Sequence, residues 1–455
     1  MGAALAMADL ISSTQRKVVI GLGVTGLSVA RYLAGRGEDF CVFDTREAPP
    51  GQSQLKTEFP DVPLLTGAVP QDVLNTAGEL IVNPGIAPDE PWLQEAIAAG
   101  ARLRGDIDLF VEEARAPVVG ITGSNAKSTV TAMVGAMARE AGLNTGVGGN
   151  LGTAALDLLD EDAELYVLEL SSFQLERSGE LGLDVATVLN VTPDHLDRHG
   201  SMPLYHQAKH RIFNGSKTVV YNADDPLTIP PLAGSRGQIS WRLREPDLQG
   251  FGLRREDGEI FLAEGFDLLM PVNQLPMPGR HNVANALAAL ALGSAAGLPR
   301  GAMLDALRGF RGLPHRCELV GERDGVQWVN DSKATNVAAA IAAVDGLGAD
   351  RSLVLIAGGR DKAADYRPLR GALERHCRHL LLIGEAAPLL ADALAGTTTI
   401  ESVGTLAAAV NRAAAIAGTG ETVLLSPACA SFDQFASYEA RGEAFRTAVA
   451  EVLAR

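Results

Sequence analysis

Cysteine is scarce in this chain: Cys41, Cys317, Cys377 and Cys429 lie far apart with no paired spacing, which argues against a disulfide framework and a structural zinc site. No run of about 18 apolar residues occurs, so no membrane insertion is expected. The N-terminus lacks the basic start and long apolar core of a signal peptide; residues 1–16 read as a flexible extension and the chain as cytoplasmic. No basic block offsets the net charge of −16, which disfavours nucleic acid as a partner. Small anions must then be held by a few local Arg and Lys side chains and by helix N-termini. Internal repeats and low-complexity linkers are also missing.

What is present is an alternation of short apolar strands with Ala-rich helical segments, the pattern of parallel sheets covered by helices. A chain of 455 residues is too long for one core. It divides into three α/β units: 1–105, 106–312 and 313–455. The first opens with a strand over 17–20, the turn Gly21-Leu22-Gly23-Val24-Thr25-Gly26, a helix and a strand ending at Asp44, 18 positions after the third glycine. In that context G-x-G-x-x-G signals a dinucleotide or nucleotide pyrophosphate without saying which. The second unit carries strands ending at Glu169 and near Val188, a small antiparallel excursion over 238–276 around Asp257-Gly258, and an Ala-rich helix over 283–296 stopped by Gly297. The third has strands over 326–329, 353–357, 380–383 and 422–425.

Residues 120–129, Gly-Ile-Thr-Gly-Ser-Asn-Ala-Lys-Ser-Thr, follow a short apolar run and lead into an amphipathic stretch, so they read as strand, phosphate loop and helix. Small residues at Gly123, Ser124, Asn125 and Ala126 let the backbone approach a polyphosphate, and the helix start offers N–H groups and a positive dipole end. Lys127 would meet the β and γ phosphates of ATP, and the hydroxyls of Ser128 and Thr129 suit a phosphate-bound Mg²⁺. The match departs from the common pattern: the leading glycine is one position early and Ala126 replaces the glycine before the lysine. Because alanine at positive φ costs roughly 1–2 kcal/mol, Ala126 is expected at negative φ.

Read together, the runs at 120–129, 168–176 (Leu-Glu-Leu-Ser-Ser-Phe-Gln-Leu-Glu), 190–198 (Asn-Val-Thr-Pro-Asp-His-Leu-Asp-Arg), 313–316 (Leu-Pro-His-Arg), 330–336 (Asn-Asp-Ser-Lys-Ala-Thr-Asn) and 425–435 (Leu-Ser-Pro-Ala-Cys-Ala-Ser-Phe-Asp-Gln-Phe) resemble the Mur ligases of peptidoglycan synthesis, most of all those adding glutamate. The likeness runs in order from Lys17 to the end. It implies a monomeric, ATP-dependent amide ligase with three domains: a Rossmann-like UDP-binding domain, a central ATPase domain and a Rossmann-like amino-acid domain. Such an enzyme phosphorylates the alanine carboxylate of UDP-N-acetylmuramoyl-L-alanine, and glutamate attacks the acyl phosphate.

The resemblance also implies roles. Glu169 and His195 would hold two Mg²⁺ ions with Ser128 and Thr129, and Lys209 would carry a CO₂-derived carbamate as a further ligand. Lys127, Glu169, His195 and Lys209 are thus the catalytic candidates. Gly21, Gly23, Val24, Thr25, Gly26, Asp44, Thr45, Arg46, Asn83, Gly85 and Asn150 would bind the UDP substrate. Beyond the phosphate loop, ATP would meet Asn282, Asn285, Arg316, Asp331 and Lys333. Glutamate would meet Asp194, His195, Thr335, Lys362, Ser431, Phe432 and Tyr438. Three alternatives stay open: the same reaction with L-glutamate, a folylpolyglutamate-synthase-like ligase, and a nicotinamide-dependent or nucleotide-sensing protein.

Overall fold

A computed structural model describes residues 16–150, 152–230, 237–277, 279–362 and 364–455, without the side chain of Asp197. Of the expected extension over 1–16 only Arg16 is described, and its guanidinium is held by Asp39 at 3.0 and 3.1 Å. The rest of that expectation lies outside the described residues.

Three sheets follow one another along the chain. The first is wholly parallel, in the order Leu64–Thr66, Phe40–Asp44, Lys17–Ile20, Glu79–Val82 and Arg102–Arg104. Its central strand is flanked on one side by the next strand in sequence and on the other by a later one, so the order reverses there. Ligands of open α/β sheets bind at such switch points, outside the carboxyl ends of the strands. Ile20 pairs with both Phe43 and Val82, which brings the Gly21 turn, Asp44 and Asn83 to one edge.

The central sheet has nine strands, and Val118–Thr122 lies between Val185–Val188 and Leu165–Glu169. Residues 238–276 are antiparallel only in part. Gly237–Trp241 runs parallel to Thr218–Asn222, whereas Phe251–Glu256, Glu259–Glu264 and Asp267–Pro271 form the antiparallel ribbon. Asp257 and Gly258, at φ 49° and 83°, supply the paired positive φ of a tight hairpin turn. On one face the helices Lys127–Glu140 and Arg280–Ala295 pack through Val130, Met133, Met137, Leu287 and Leu290, all buried. Each such Leu or Met stabilises by about 1.5–3 kcal/mol, and the intervening alanines allow a close approach. The long helix stops where expected, with Gly297 at φ 78°.

The C-terminal sheet has the order Glu318–Arg323, Val326–Asn330, Thr422–Leu425, Leu353–Gly358, Cys377–Ile383 and Thr399–Gly404, antiparallel only at the first edge. Its inner strands are buried on both faces, as parallel strands require. Among the described residues no helix is long and apolar enough to cross a membrane.

Candidate active site

At the edge of the first sheet the glycine turn is closed against Asn83. A Cβ added at Gly26 would lie 1.9 Å from the Gly21 carbonyl, and one at Gly21 would lie 2.8 Å from Asn83 Cβ, so neither position accepts a side chain. Asp44 is buried and accepts from Leu22 N–H (2.7 Å), Arg46 N–H (2.9 Å) and the Arg46 guanidinium (2.9 and 2.7 Å). Burial alone would raise this carboxyl, but those donors outweigh it and hold it at about 2. Both carboxylate oxygens therefore fix the loop and aim Arg46, which is half exposed, toward the mouth of the turn. Val24 stands out in solvent beside it.

The phosphate loop is the second structure of the site. Asn190 grips it from the neighbouring strand: its Oδ1 accepts from Asn125 N–H at 2.8 Å and its Nδ2 donates to the Asn125 carbonyl at 3.1 Å. The helix then starts at Lys127, and the step between is made by Ala126 at φ 67°. The expectation of negative φ is overturned. With Asn125 pinned on both its backbone groups, the left-handed turn at the next residue is what leads into the helix, and a methyl is small enough to bear it. The loop still closes on itself, since Lys127 Nζ donates to the Gly123 and Ser124 carbonyls at 2.9 and 3.0 Å. Ala126→Gly is expected to raise the melting midpoint by the equivalent of roughly 0.5–1 kcal/mol, because relief of strain exceeds the added freedom of the unfolded chain. A calorimetric midpoint at or below wild type would show that no strain is stored there.

Around this loop the structure gathers Glu169, Asn150, Lys209, Asp194 and His195. Ile121 pairs with Glu169, which sets the carboxylate beside the loop. Glu169 Oε1 accepts from Asn150 Nδ2 at 2.6 Å, while its Oε2 is buried without a hydrogen-bond partner among the described residues. Asn150, expected among the residues for the UDP substrate, is here hydrogen-bonded to Glu169. Lys209 is only 2% exposed; its Nζ donates to the Gly123 carbonyl at 2.8 Å and lies 4.5 Å from the Tyr205 ring centre. Burial, then the charge of Lys127, push its pKa well below the ordinary lysine value. Lys127 is lowered too, by burial, with Glu169 and Asp194 opposing. His195 occupies a left-handed position at φ 52°, its Nε2 3.6 Å from Asp194 Oδ2, and burial lowers its pKa.

Mg²⁺ fits this donor set. The unpaired Glu169 oxygen is a hard ligand beside the loop hydroxyls. Among the described residues no group of three or more His, Cys, Asp and Glu converges on one point, so nucleotide phosphates would have to complete the shell, as is usual for this ion. Ser128 Oγ accepts from Arg316 Nη2 at 2.6 Å.

Arg316 comes from the third unit, and so does much of the adjoining cavity of about 250 Å³, lined by Asn125, Ala126, Asn282, Asn285, Arg316, Asp331 and Lys333. Burial raises Asp331 to about 7, although it accepts from Ser426 Oγ at 2.9 Å and Cys317 N–H at 3.2 Å. Lys333, lowered to about 8 by burial, sits 3.8 Å from the ring centre of Tyr438. Thr335 follows directly, its N–H on the Lys333 carbonyl. Ser431 is buried beside the bridge between Arg360 and Ala430, whereas Phe432 is 64% exposed. Lys362 is exposed, and its charge adds to the lowering of the His195 pKa that burial begins.

Sequence reasoning missed three contributors. Asn190 and Tyr205 lay inside or beside quoted motifs, but only the fold shows them holding the loop. Asn336 is the third. Its Oδ1 caps the helix Val337–Leu347 through Ala339 N–H (2.8 Å), while its Nδ2 bridges to Asn125 Oδ1 (3.2 Å) and Asp194 Oδ2 (3.1 Å). Asn336→Asp keeps the cap but sets a carboxylate against Asp194. The expected result is a fall of about 10- to 100-fold in kcat/KM with an unchanged melting midpoint; an unaltered kcat/KM would show that the bridge is idle.

A glycine-containing strand–loop–helix turn in a nine-stranded central sheet, with a second α/β sheet unit before it and a third after it, defines an α/β protein of three units. Residues 15–105 match the Mur ligase MurD-like N-terminal domain, 121–293 the Mur ligase middle domain, and 315–429 the Mur ligase glutamate ligase domain. The chain belongs to the Mur ligase family. It is 53% identical to the "UDP-N-acetylmuramoylalanine--D-glutamate ligase" of Pseudomonas syringae pv. tomato, over 97% of this chain and 99% of that one. It is likewise 53% identical to the protein of the same name from Pseudomonas aeruginosa, over 98% and 100%. Among solved structures, a pseudomurein peptide ligase type C from Methanothermus fervidus superposes with a TM-score of 0.62 at 19% identity, covering 96% of this chain and 100% of that one. A MurF ligase from Thermotoga maritima in complex with ADP gives 0.59 at 17%, covering 98% and 99%. At those identities the likeness is one of fold.

Proposed function

We propose that this chain joins D-glutamate to UDP-N-acetylmuramoyl-L-alanine at the cost of ATP, through an acyl phosphate, in cytoplasmic peptidoglycan precursor synthesis. Residues 1–105 would bind the UDP substrate, 106–312 ATP and 313–455 glutamate, with the monomer as the working unit. The observation that carries this reading is the full-length similarity to relatives named for that reaction, together with Lys127, Glu169 and Lys209 converging on one phosphate loop.

The chemistry suits the residues. A carboxylate is a poor acyl donor until phosphorylation gives it a leaving group. Transfer between two anions needs positive charge, which Lys127, the helix start and Arg316 offer. Mg²⁺, held by Glu169 with the loop hydroxyls and His195, would add to that charge when bound. Lys362 and Ser431 would hold glutamate so that its amine faces the activated carboxyl from the His195 side. Because ATP contacts come from two units, closure completes the site.

Phosphate release by the purified protein tests the proposal, with ATP, Mg²⁺, UDP-N-acetylmuramoyl-L-alanine and, separately, D-glutamate, L-glutamate or no amino acid. Release only with D-glutamate is expected. Release only with L-glutamate would transfer the chain to the variant ligase, and silence in every tube would overturn the ligase reading.

A further inference from the structure

The side chain of Arg177 is 0% exposed, and none of the chemistry above uses it. Every N–H of its guanidinium is directed at an acceptor. Nε donates to the Phe173 carbonyl at 2.9 Å. Nη1 donates to the carbonyls of Val82 (3.2 Å) and Asn83 (2.7 Å), and Nη2 to those of Pro84 (3.1 Å) and Ile86 (2.7 Å). One side chain of the central unit thus satisfies four carbonyls of a single loop in the first unit. Gly105 makes room for it, since a Cβ there would lie 3.3 Å from Arg177 Cγ.

That loop is the one that closes the glycine turn. Ile86 N–H donates to the Asn83 carbonyl, and Gly85 N–H donates to Asn83 Oδ1 at 3.1 Å, so the Asn83 side chain is held against Gly21, Gly23 and Gly26. The opposite end of the network reaches the His195 loop. Glu176 accepts from Arg198 Nη2 at 2.5 Å and lies 3.5 Å from His199 Nδ1. Arg198 Nη2 also donates to the Ile86 carbonyl at 3.2 Å. The Phe173 ring, beside the carbonyl that Arg177 holds, packs on His195 at 5.0 Å and His199 at 5.4 Å. Glu176 lets the two arginines meet at one carbonyl.

An apolar contact would join the two units at less desolvation cost. A planar guanidinium instead fixes the distance and orientation of a loop whose carbonyls it gathers. We infer that Arg177, assisted by Arg198 and Glu176, is a positioning residue for the UDP-linked substrate: it locks the 82–86 loop to the strand ends of the central unit. The substrate held at Asn83 and the Gly21 turn is then delivered at the right reach to the phosphate loop. This inference rests on the proposed function, because it assumes that the first unit binds a UDP-linked acyl acceptor.

The test is steady-state kinetics of the full-length enzyme, varying each of the three substrates in turn. Arg177→Lys keeps the charge but loses the planar fork, and KM for UDP-N-acetylmuramoyl-L-alanine is expected to rise at least about tenfold while KM for ATP stays within about twofold. Arg198→Lys, at a partly exposed side chain contributing one bond to the loop, should shift the same KM by about three- to fivefold. It decides the matter alone if the first variant does not fold. An unchanged KM for the UDP substrate, an equal rise in all three KM values, or a loss confined to kcat or to the melting midpoint would overturn the inference. Wild-type enzyme that ignores the UDP substrate would instead overturn the functional reading beneath it.

Discussion

Lys209→Ala is expected to lower turnover by at least about 10³-fold, equivalent to about 4 kcal/mol of transition-state stabilisation, and a short carboxylic acid in excess should restore part of it. The expectation starts from burial. The Lys209 amine has one hydrogen-bond partner, the Gly123 carbonyl, and lies near Lys127, so its neutral form is favoured far more than in water. A neutral amine carries the lone pair that carbon dioxide requires: an N–C bond forms, one N–H proton leaves to solvent, and a cation is replaced by a carboxylate-like anion.

Charge decides whether that anion is tolerated. With Lys209 carbamylated, Lys127 would face three negative groups, Glu169, Asp194 and the new carboxylate, a surplus that matches a divalent cation. His195, lowered by burial, can offer a neutral ring nitrogen to the same ion. The pH sign follows. Because the folded-state pKa is depressed, the amine is neutral and reactive above that value; as pH falls through it the amine protonates and activity should be lost along with the carbamate. Depleting dissolved CO₂ should have the same effect at constant pH. Wild-type-like turnover in the unrescued alanine variant would remove Lys209 from the mechanism.

How much of this was legible before the fold was known depends on the kind of interaction. The phosphate loop, the glycine turn and Glu169 at a strand end are local features, and glycines, small residues and strand patterns report them directly. The strand Thr145–Gly149 shows the opposite case. Its glycine-rich sequence carries no strand pattern, yet a Cβ at Gly148 would meet the Thr153 carbonyl at 2.3 Å and one at Gly149 the Glu169 carbonyl at 2.5 Å. The side chains are absent so that Asn150 can reach Glu169. Ala126 failed for a related reason: the dihedral is set by Asn190, from a distant strand, and no local propensity carries that information. Arg177 was invisible because a buried arginine and a solvated one look alike in sequence until five carbonyls surround it. The contact of Lys333 with the Tyr438 ring was invisible too, because it comes only from packing two distant C-terminal segments together.

Lys127→Ala should eliminate formation of the acyl phosphate while the protein remains folded. The ammonium is partly buried, with its pKa lowered by desolvation, and Glu169 and Asp194 counter that shift. Its hydrogen bonds go to two neutral carbonyls of its own loop, at 2.9 and 3.0 Å. These acceptors are weaker than a phosphate oxygen, so the side chain can exchange them for the β and γ phosphates without breaking an ion pair. Its value then grows as charge builds on the transferred phosphoryl group, in a site too dry to screen it. Loss of this interaction should cost on the order of 10³-fold in the rate of acyl-phosphate formation, and about tenfold or less in ATP affinity, because the loop N–H groups and Arg316 remain. Borohydride reduction of the acyl phosphate to the alcohol, with glutamate omitted, measures the first quantity, and equilibrium nucleotide binding the second. An undiminished yield of the alcohol would contradict the role assigned to Lys127. Losses of equal size in both quantities would make it a ground-state anchor for ATP rather than a stabiliser of the transfer.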